Sequence, residues 1–153
     1  MIIGSFIVLN ALIYVSCNGP GGNQGKVKPA EDASETMAAT SLNDITLKRG
    51  EEIYNKVCLA CHQADGSGVP MMFPPVTQSK FINGDNEQLI RVILDGMSGP
   101  VEIKGEEYNS IMPPQKDNLD DQEVSDLIYY LRNSFSNSAG DITAEEVARI
   151  RKQ

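Results

Sequence analysis

Two of the three cysteines and the only histidine of the chain lie within five residues, Cys58-Leu59-Ala60-Cys61-His62. A C-x-x-C-H segment restricts the chain to a few kinds of site: a covalently attached c-type haem, a redox-active dithiol or a bound zinc ion. Each of these sites demands a different fold around the segment. The neighbouring sequence therefore decides between them.

The sequence around the segment favours haem attachment. A redox dithiol of the thioredoxin type needs a strand before the motif and a helix after it, whereas here a predicted helix precedes and the Gly-rich loop Gly66-Ser67-Gly68 follows. A zinc ion needs a fourth ligand that no second histidine supplies. Two cysteines three residues apart reach the two vinyl groups of one macrocycle, and His62 is then delivered to the iron.

Short helices separated by long loops make up the rest of the folded region. Apolar residues from Leu47 to Val57 recur at helical spacing and predict a first helix over residues 45–58. Capping signals predict three more helices, which begin near Asp85, Asp120 and Thr143. A small hairpin is expected around Lys104-Gly105.

The loops over residues 64–80 and 96–118 are too long for a compact domain of this size unless something fills the space between them. A domain this small also has a marginal hydrophobic core. Both observations indicate a large bound group that acts as part of the core. We therefore predict an all-α fold in which three to four short helices and long loops surround one covalently bound haem.

A haem iron held by His62 needs a second axial ligand or keeps an open site. Met112 is the best candidate ligand because a proline follows it, which stiffens the loop, and because a thioether sulfur favours Fe(II). Met97 is the nearest competitor. Met71 and Met72 are expected to pack against the haem edge.

Taken together, these parts resemble a class I mono-haem cytochrome c over roughly residues 46 to 135. The resemblance rests on Gly50 and Tyr54, the C-x-x-C-H motif, Phe73-Pro74-Pro75-Val76, Tyr108 with Met112-Pro113, and Leu127 with Tyr130-Leu131-Arg132. It implies that the first and last helices of the domain cross and that Gly50 allows their close approach. It also implies that a proline carbonyl, best matched by Pro74 and next by Pro75, accepts a hydrogen bond from the ligating histidine.

The resemblance also implies an electron carrier, not an enzyme. Its haem c is held by Cys58 and Cys61, and its iron cycles between Fe(III) and Fe(II) with His62 and Met112 as axial ligands. A weaker likeness, to cytochrome domains of respiratory or dehydrogenase complexes, predicts redox proteins as partners. The alternative is a haem whose sixth site opens, as in a gas sensor or a peroxidase.

The N-terminus is typical of an exported protein. Residues 2–15 are nearly all apolar but too short to span a bilayer comfortably, as in a signal peptide. A small residue, Cys17 and a Gly-rich stretch follow, which resembles a bacterial lipoprotein signal. An ordinary cleaved signal and an uncleaved anchor are the alternatives. We predict a signal over residues 1–17 with a lipid on Cys17, a membrane-anchored domain on the periplasmic side, and a flexible tether over 18–42 that reaches roughly 25–30 Å.

The cytochrome c domain is then expected over residues 43–135, and a C-terminal extension with a short helix over 136–153. A net charge of −8 and a pI of about 4.6 argue against nucleic acid as a partner, because phosphate binding needs clustered lysine and arginine. The same charge favours a partner with a basic docking surface.

Overall fold

The structure is a computed structural model that describes residues 32–153 of the chain and the side chains from residue 42 onward. The predicted signal, Cys17 and residues 18–31 of the predicted tether lie outside the described residues. Five helices and two short strands occur in the described part: α1 Asp32–Val57, α2 Leu59–His62, α3 Asn86–Asp95, β1 Val101–Ile103, β2 Glu106–Tyr108, α4 Asp121–Asn133 and α5 Ala144–Arg151. Within residues 32–153, none of these helices is both long enough and apolar enough to span a membrane.

Helix α1 begins at Asp32, well before the predicted start at residue 45. Residues 32–42, predicted as part of a flexible tether, are therefore helical in the structure. The tether was predicted because this stretch has little apolar surface to bury, and Leu42 and Ile45 are indeed 62% and 52% exposed. A helix that is already nucleated by packing nevertheless extends at little cost through this stretch, which contains three alanines and no glycine or proline, because each added residue gains a hydrogen bond.

The predicted helix starts at α3, α4 and α5 are confirmed by their caps. Asp120 begins α4 with a complete capping box, in which its carboxylate accepts from the Glu123 amide at 2.8 Å and the Glu123 carboxylate accepts from the Asp120 amide at 2.9 Å. At Asp85 only the first half of the predicted box forms, through the Gln88 amide. Thr143 caps α5.

The predicted hairpin is also present. Strands β1 and β2 pair antiparallel, with Val101 opposite Tyr108 and Ile103 opposite Glu106. Lys104 and Gly105 form the two-residue turn with φ angles of 54° and 82°, the positive values that match a tight turn to strand twist. The hairpin buries Ile103 and Tyr108.

Helices α1 and α4 cross in close contact at Gly50. A Cβ atom at Gly50 would collide with the carbonyl oxygen of Asp126 and the Cβ of Tyr130, so only glycine fits. One turn further on, Tyr54 is buried and its ring lies 5.6 Å from that of Tyr130. The role predicted for Gly50 is thus confirmed.

Residues 136–153 pack into the same compact unit as the rest of the described chain, Asp32–Gln153. Ile142, Val147 and Ile150 are buried in one core with residues of α3 and α4. The guanidinium of Arg151 donates to Asp121 at 2.6 Å and to the Leu119 carbonyl at 2.8 Å, which fastens the end of α5. The C-terminal extension predicted from residue 136 is therefore part of the same compact unit, because it supplies apolar residues to the core.

The close helix crossing leads to the first prediction. We expect Gly50→Ala to lower the free energy of unfolding by about 1–3 kcal/mol, because overpacking at the crossing outweighs the gain in helix propensity. Urea unfolding of the haem-containing protein measures this. Gly140→Ala is the matched control, since nothing lies within 4 Å of a Cβ built there. Equal stabilities of the two variants would contradict the prediction.

Candidate functional site

The C-x-x-C-H segment forms its own one-turn helix, α2, directly after α1. The Cys58 amide still donates to the Tyr54 carbonyl at 2.9 Å, and the His62 amide donates to the Cys58 carbonyl at 3.0 Å. This turn brings the side chains of Cys58, Cys61 and His62 to the wall of one cavity. The segment is therefore built to present all three groups to a single ligand.

The cavity holds about 1170 Å³ of empty space, counting its open mouth. Its walls come from both long loops, from the β1–β2 hairpin and from the four helices α1 to α4, and they are predominantly apolar. Among the lining residues are Val57, Phe73, Val76, Phe81, Ile82, Leu89, Ile93, Val101, Tyr108, Leu127 and Leu131. A cavity with walls of this apolar character, built from loops and helices on several sides, fits a large apolar ligand. The residues present thus fit a haem. This agrees with the expectation from the sequence that a large bound group lies between the long loops.

His62 is oriented by a backbone carbonyl. Its Nδ1 donates a hydrogen bond to the carbonyl oxygen of Pro74 at 2.9 Å, which leaves Nε2 as the nitrogen with a free lone pair. Burial lowers the pKa of His62, although the Pro74 carbonyl opposes this effect. The imidazole is therefore neutral at neutral pH, which is the form that binds a metal ion.

The loop that carries Pro74 is closed by Gly68, a residue whose role the sequence did not reveal. The Gly68 amide donates to the His62 carbonyl at 3.0 Å, and its φ angle is 67°. A Cβ atom there would collide with the carbonyl oxygens of Phe73 and Pro74. The only signal in the sequence was the Gly-Ser-Gly run, which indicates a tight loop but not what the loop approaches.

Met97 and Met112 both line the cavity and are paired with each other. Each amide donates to the other's carbonyl, at 3.0 Å for Met97 and 2.8 Å for Met112, in an isolated antiparallel bridge. Met71 and Met72, in contrast, are 79% and 51% exposed and do not line the cavity. The Val69–Phe73 bridge places these two residues in a tight loop outside the cavity lining, and their packing against the haem edge stays a prediction.

The alternative of a redox dithiol is disfavoured by the surroundings of Cys58. Burial raises the pKa of its thiol to about 12, and the neighbouring Cys61 adds to the effect. A reactive dithiol needs a thiol whose pKa is lowered, typically at a helix N-terminus or beside a cation. The described part of the chain also offers no βαβ unit around the motif.

Comparison with known families agrees with the cavity and the motif. The sequence model of the family described as cytochrome c matches residues 47–135. The chain is also similar to a cytochrome c-552 of Thermus thermophilus, with 33% identity over 126 residues, which cover 75% of this chain and 84% of that protein.

Subunits of larger enzymes are similar as well. The cytochrome c subunit of a quinone alcohol dehydrogenase from Gluconobacter oxydans is 33% identical over 104 residues, which cover 67% of this chain and 22% of the subunit. The cytochrome c subunit of gluconate 2-dehydrogenase from Pantoea cypripedii is 31% identical over 133 residues, which cover 80% of this chain and 30% of the subunit. In both cases the similarity covers about a quarter of the longer protein.

The backbone around Met112 generates the second prediction. Gly96 has a φ of 75°, and a Cβ atom there would collide with the Met112 carbonyl. We expect Gly96→Ala to lower the free energy of unfolding by about 1–3 kcal/mol more than Gly99→Ala. Gly99 is the matched control because its φ is also positive, at 88°, while nothing lies within 4 Å of its Cβ. Faster amide exchange at Met97 and Met112 in the Gly96 variant alone would localise the effect, and equal losses would contradict it.

Proposed function

The chain belongs to the cytochrome c family of electron-transfer proteins, whose members carry covalently attached haem c, and we propose that here Cys58 and Cys61 hold the haem as thioethers while His62 and Met112 ligate its iron. The observation that carries this proposal is the meeting of all four side chains on one large apolar cavity. The haem supplies a reversible Fe(III)/Fe(II) couple. The protein supplies attachment, ligation and burial.

The hydrogen bond from His62 to the Pro74 carbonyl supports the role of His62 as the proximal ligand. A ligating histidine commonly donates its other ring nitrogen to a carbonyl, which fixes the ring orientation and raises the basicity of the ligating nitrogen. At 2.9 Å this bond has good geometry, and Gly68 keeps the Pro74 carbonyl close to α2.

Met112 is favoured over Met97 as the second ligand by the stiffness of its backbone. Two prolines follow Met112 and fix their own φ angles, so the loop holds its sulfur at a defined place. Met97 lies instead between Gly96 and Ser98-Gly99, where the backbone is less restricted. A thioether ligand stabilises Fe(II), because sulfur is soft, and so raises the reduction potential.

Redox proteins are the proposed partners, and the relatives that are dehydrogenase subunits support a place beside a dehydrogenase or respiratory complex. The net charge of −8 favours a basic docking surface on such a partner. We further propose that the domain is exported and held at the periplasmic side of a membrane by lipid on Cys17.

The third prediction tests the axial ligand. We expect Met112→Ala to lower the reduction potential and to let CO bind the ferrous iron, because the substitution removes the thioether and vacates the site. Met97→Ala is the control: it removes the thioether of the residue whose backbone pairs with that of Met112, and it is expected to do neither. Redox titration and CO difference spectra are the measurements.

Two results with the wild-type protein would contradict the proposal. Ferric protein without the long-wavelength sulfur-to-iron charge-transfer band would refute methionine ligation. Binding of CO by ferrous wild-type protein at neutral pH would favour a haem with an open sixth site, as in a sensor or a peroxidase, over an electron carrier.

The fourth prediction tests the anchor. We expect the native protein to fractionate with membranes, to resist release by high salt and to come off in detergent, because two or more acyl chains anchor stably at about 0.8 kcal/mol per buried CH₂. Cys17→Ser is expected to abolish fatty-acid labelling and to leave the haem spectrum unchanged. A mature N-terminus mapped elsewhere than Cys17, in a protein without label, would refute the anchor and leave the cytochrome proposal intact.

A further inference from the structure

One wall of the cavity has no helix or strand of its own. Residues 76–83, here called the wall segment, lie between α2 and α3. The segment contributes Val76, Ser79, Phe81 and Ile82 to the cavity lining. Its backbone groups have no ladder to pair with: the Val76 and Thr77 amides donate to the Gly66 carbonyl, and side chains from elsewhere in the chain bond to further groups.

Asn137 is the side chain that holds the centre of the wall segment. Its Nδ2 donates to the Val76 carbonyl at 2.9 Å, and its Oδ1 accepts from the Ser79 amide at 3.2 Å and from the Asn83 Nδ2 at 2.9 Å. The same Nδ2 donates to the Leu131 carbonyl at 2.9 Å, which ties the wall segment to the end of α4. Asn137 is itself buried, so these bonds form away from water.

The two residues that directly precede Asn137 adopt an unfavourable backbone conformation. Phe135 and Ser136 both have positive φ angles, 55° and 57°, which are uncommon for residues other than glycine. Such strain persists only where the surroundings determine the conformation, and it costs on the order of 1–3 kcal/mol per residue. Here the Phe135 ring is anchored 5.2 Å from the Tyr54 ring.

Asn137 also lies just beyond the stretch that matches the cytochrome c family, residues 47–135.

Arg132 fastens the far end of the same wall. Its buried guanidinium donates to the Ile82 carbonyl at 2.9 Å and to the Gly84 carbonyl at 3.3 Å. It also donates to the Gly140 carbonyl, which joins the C-terminal segment to the same network. Asn137 and Arg132 therefore hold the wall segment mainly through bonds to its backbone groups.

We propose that Asn137 is a positioning residue that holds the wall segment against the haem and thereby raises the reduction potential of the iron. The inference rests on the proposed function, in which the haem fills this cavity. A wall that opens admits water, and water stabilises the more highly charged ferric form. When Asn137 holds the wall closed, water does not reach the haem to stabilise the ferric form, and Fe(II) is favoured.

The test compares the haem-containing Asn137→Ala variant with wild type. At a fixed solution potential we expect the ratio of ferric to ferrous protein to rise about tenfold, which for a one-electron couple equals a potential about 59 mV lower. Amide exchange at Ser79 is expected to accelerate, because its hydrogen-bond acceptor is gone. Asn133→Ala is the matched control, since Asn133 is exposed and bonds only to the Tyr129 carbonyl of its own helix. It is expected to change neither quantity.

Two more variants separate positioning from loss of stability. Asn83→Ala removes one hydrogen-bond partner of Asn137, and it replaces Asn137→Ala in the test if that variant fails to fold. It is also expected to lower the reduction potential. Val124→Ala creates a cavity in the core at a buried site that does not line the haem cavity, so it is expected to destabilise the protein without moving the potential. An equal fall in potential for Val124→Ala would overturn the inference.

The two proposals fail in different ways. A wild-type protein that lacks the spectrum of a covalently attached, methionine-ligated haem would refute the proposed function. A wild-type protein with that spectrum, together with Asn137→Ala and Asn83→Ala variants of unchanged potential, would refute the inference alone.

Discussion

The apolar cavity is the feature on which the rest of the structure depends. A domain whose centre is reserved for a large group cannot close its core with side chains alone, so it needs walls around the group in place of stacked layers. The two long loops provide these walls, and this explains why they have little secondary structure. Regular helix packing is confined to the margin of the cavity, above all to the α1–α4 crossing, where Gly50 brings two backbones together.

Walls without secondary structure must satisfy their backbone groups one at a time, because a buried amide or carbonyl without a partner is costly. The structure does so with scattered bonds: the Gly68 amide to the His62 carbonyl, the Gln115 amide to the Ile93 carbonyl, and the Asn137 side chain to the wall segment. Each bond is modest, yet each fixes a different part of the cavity. Single backbone and side-chain bonds thereby satisfy the walls as a hydrogen-bond ladder satisfies a sheet.

The features that could be predicted from the sequence have causes within a few residues. The caps at Asp120 and Thr143 and the turn at Lys104-Gly105 are local, and all were predicted. The extent of α1 was not, because a packed helix propagated into a stretch that has no core of its own to bury. The role of Asn137 was hidden for a different reason, since its partners on the wall segment lie 54–61 residues earlier in the chain.

The contacts that fix the proposed iron site share one chemical property. His62 is held by the Pro74 carbonyl, Met112 by the backbone of Met97, and the wall segment by the amide side chain of Asn137. None of these partners ionises in the physiological range, and burial keeps His62 itself neutral there. Most charged side chains lie on the exposed surface, where we propose that a redox partner docks. The proposed iron site is therefore held by groups that carry no charge, whereas the proposed docking to a redox partner depends on charge and salt.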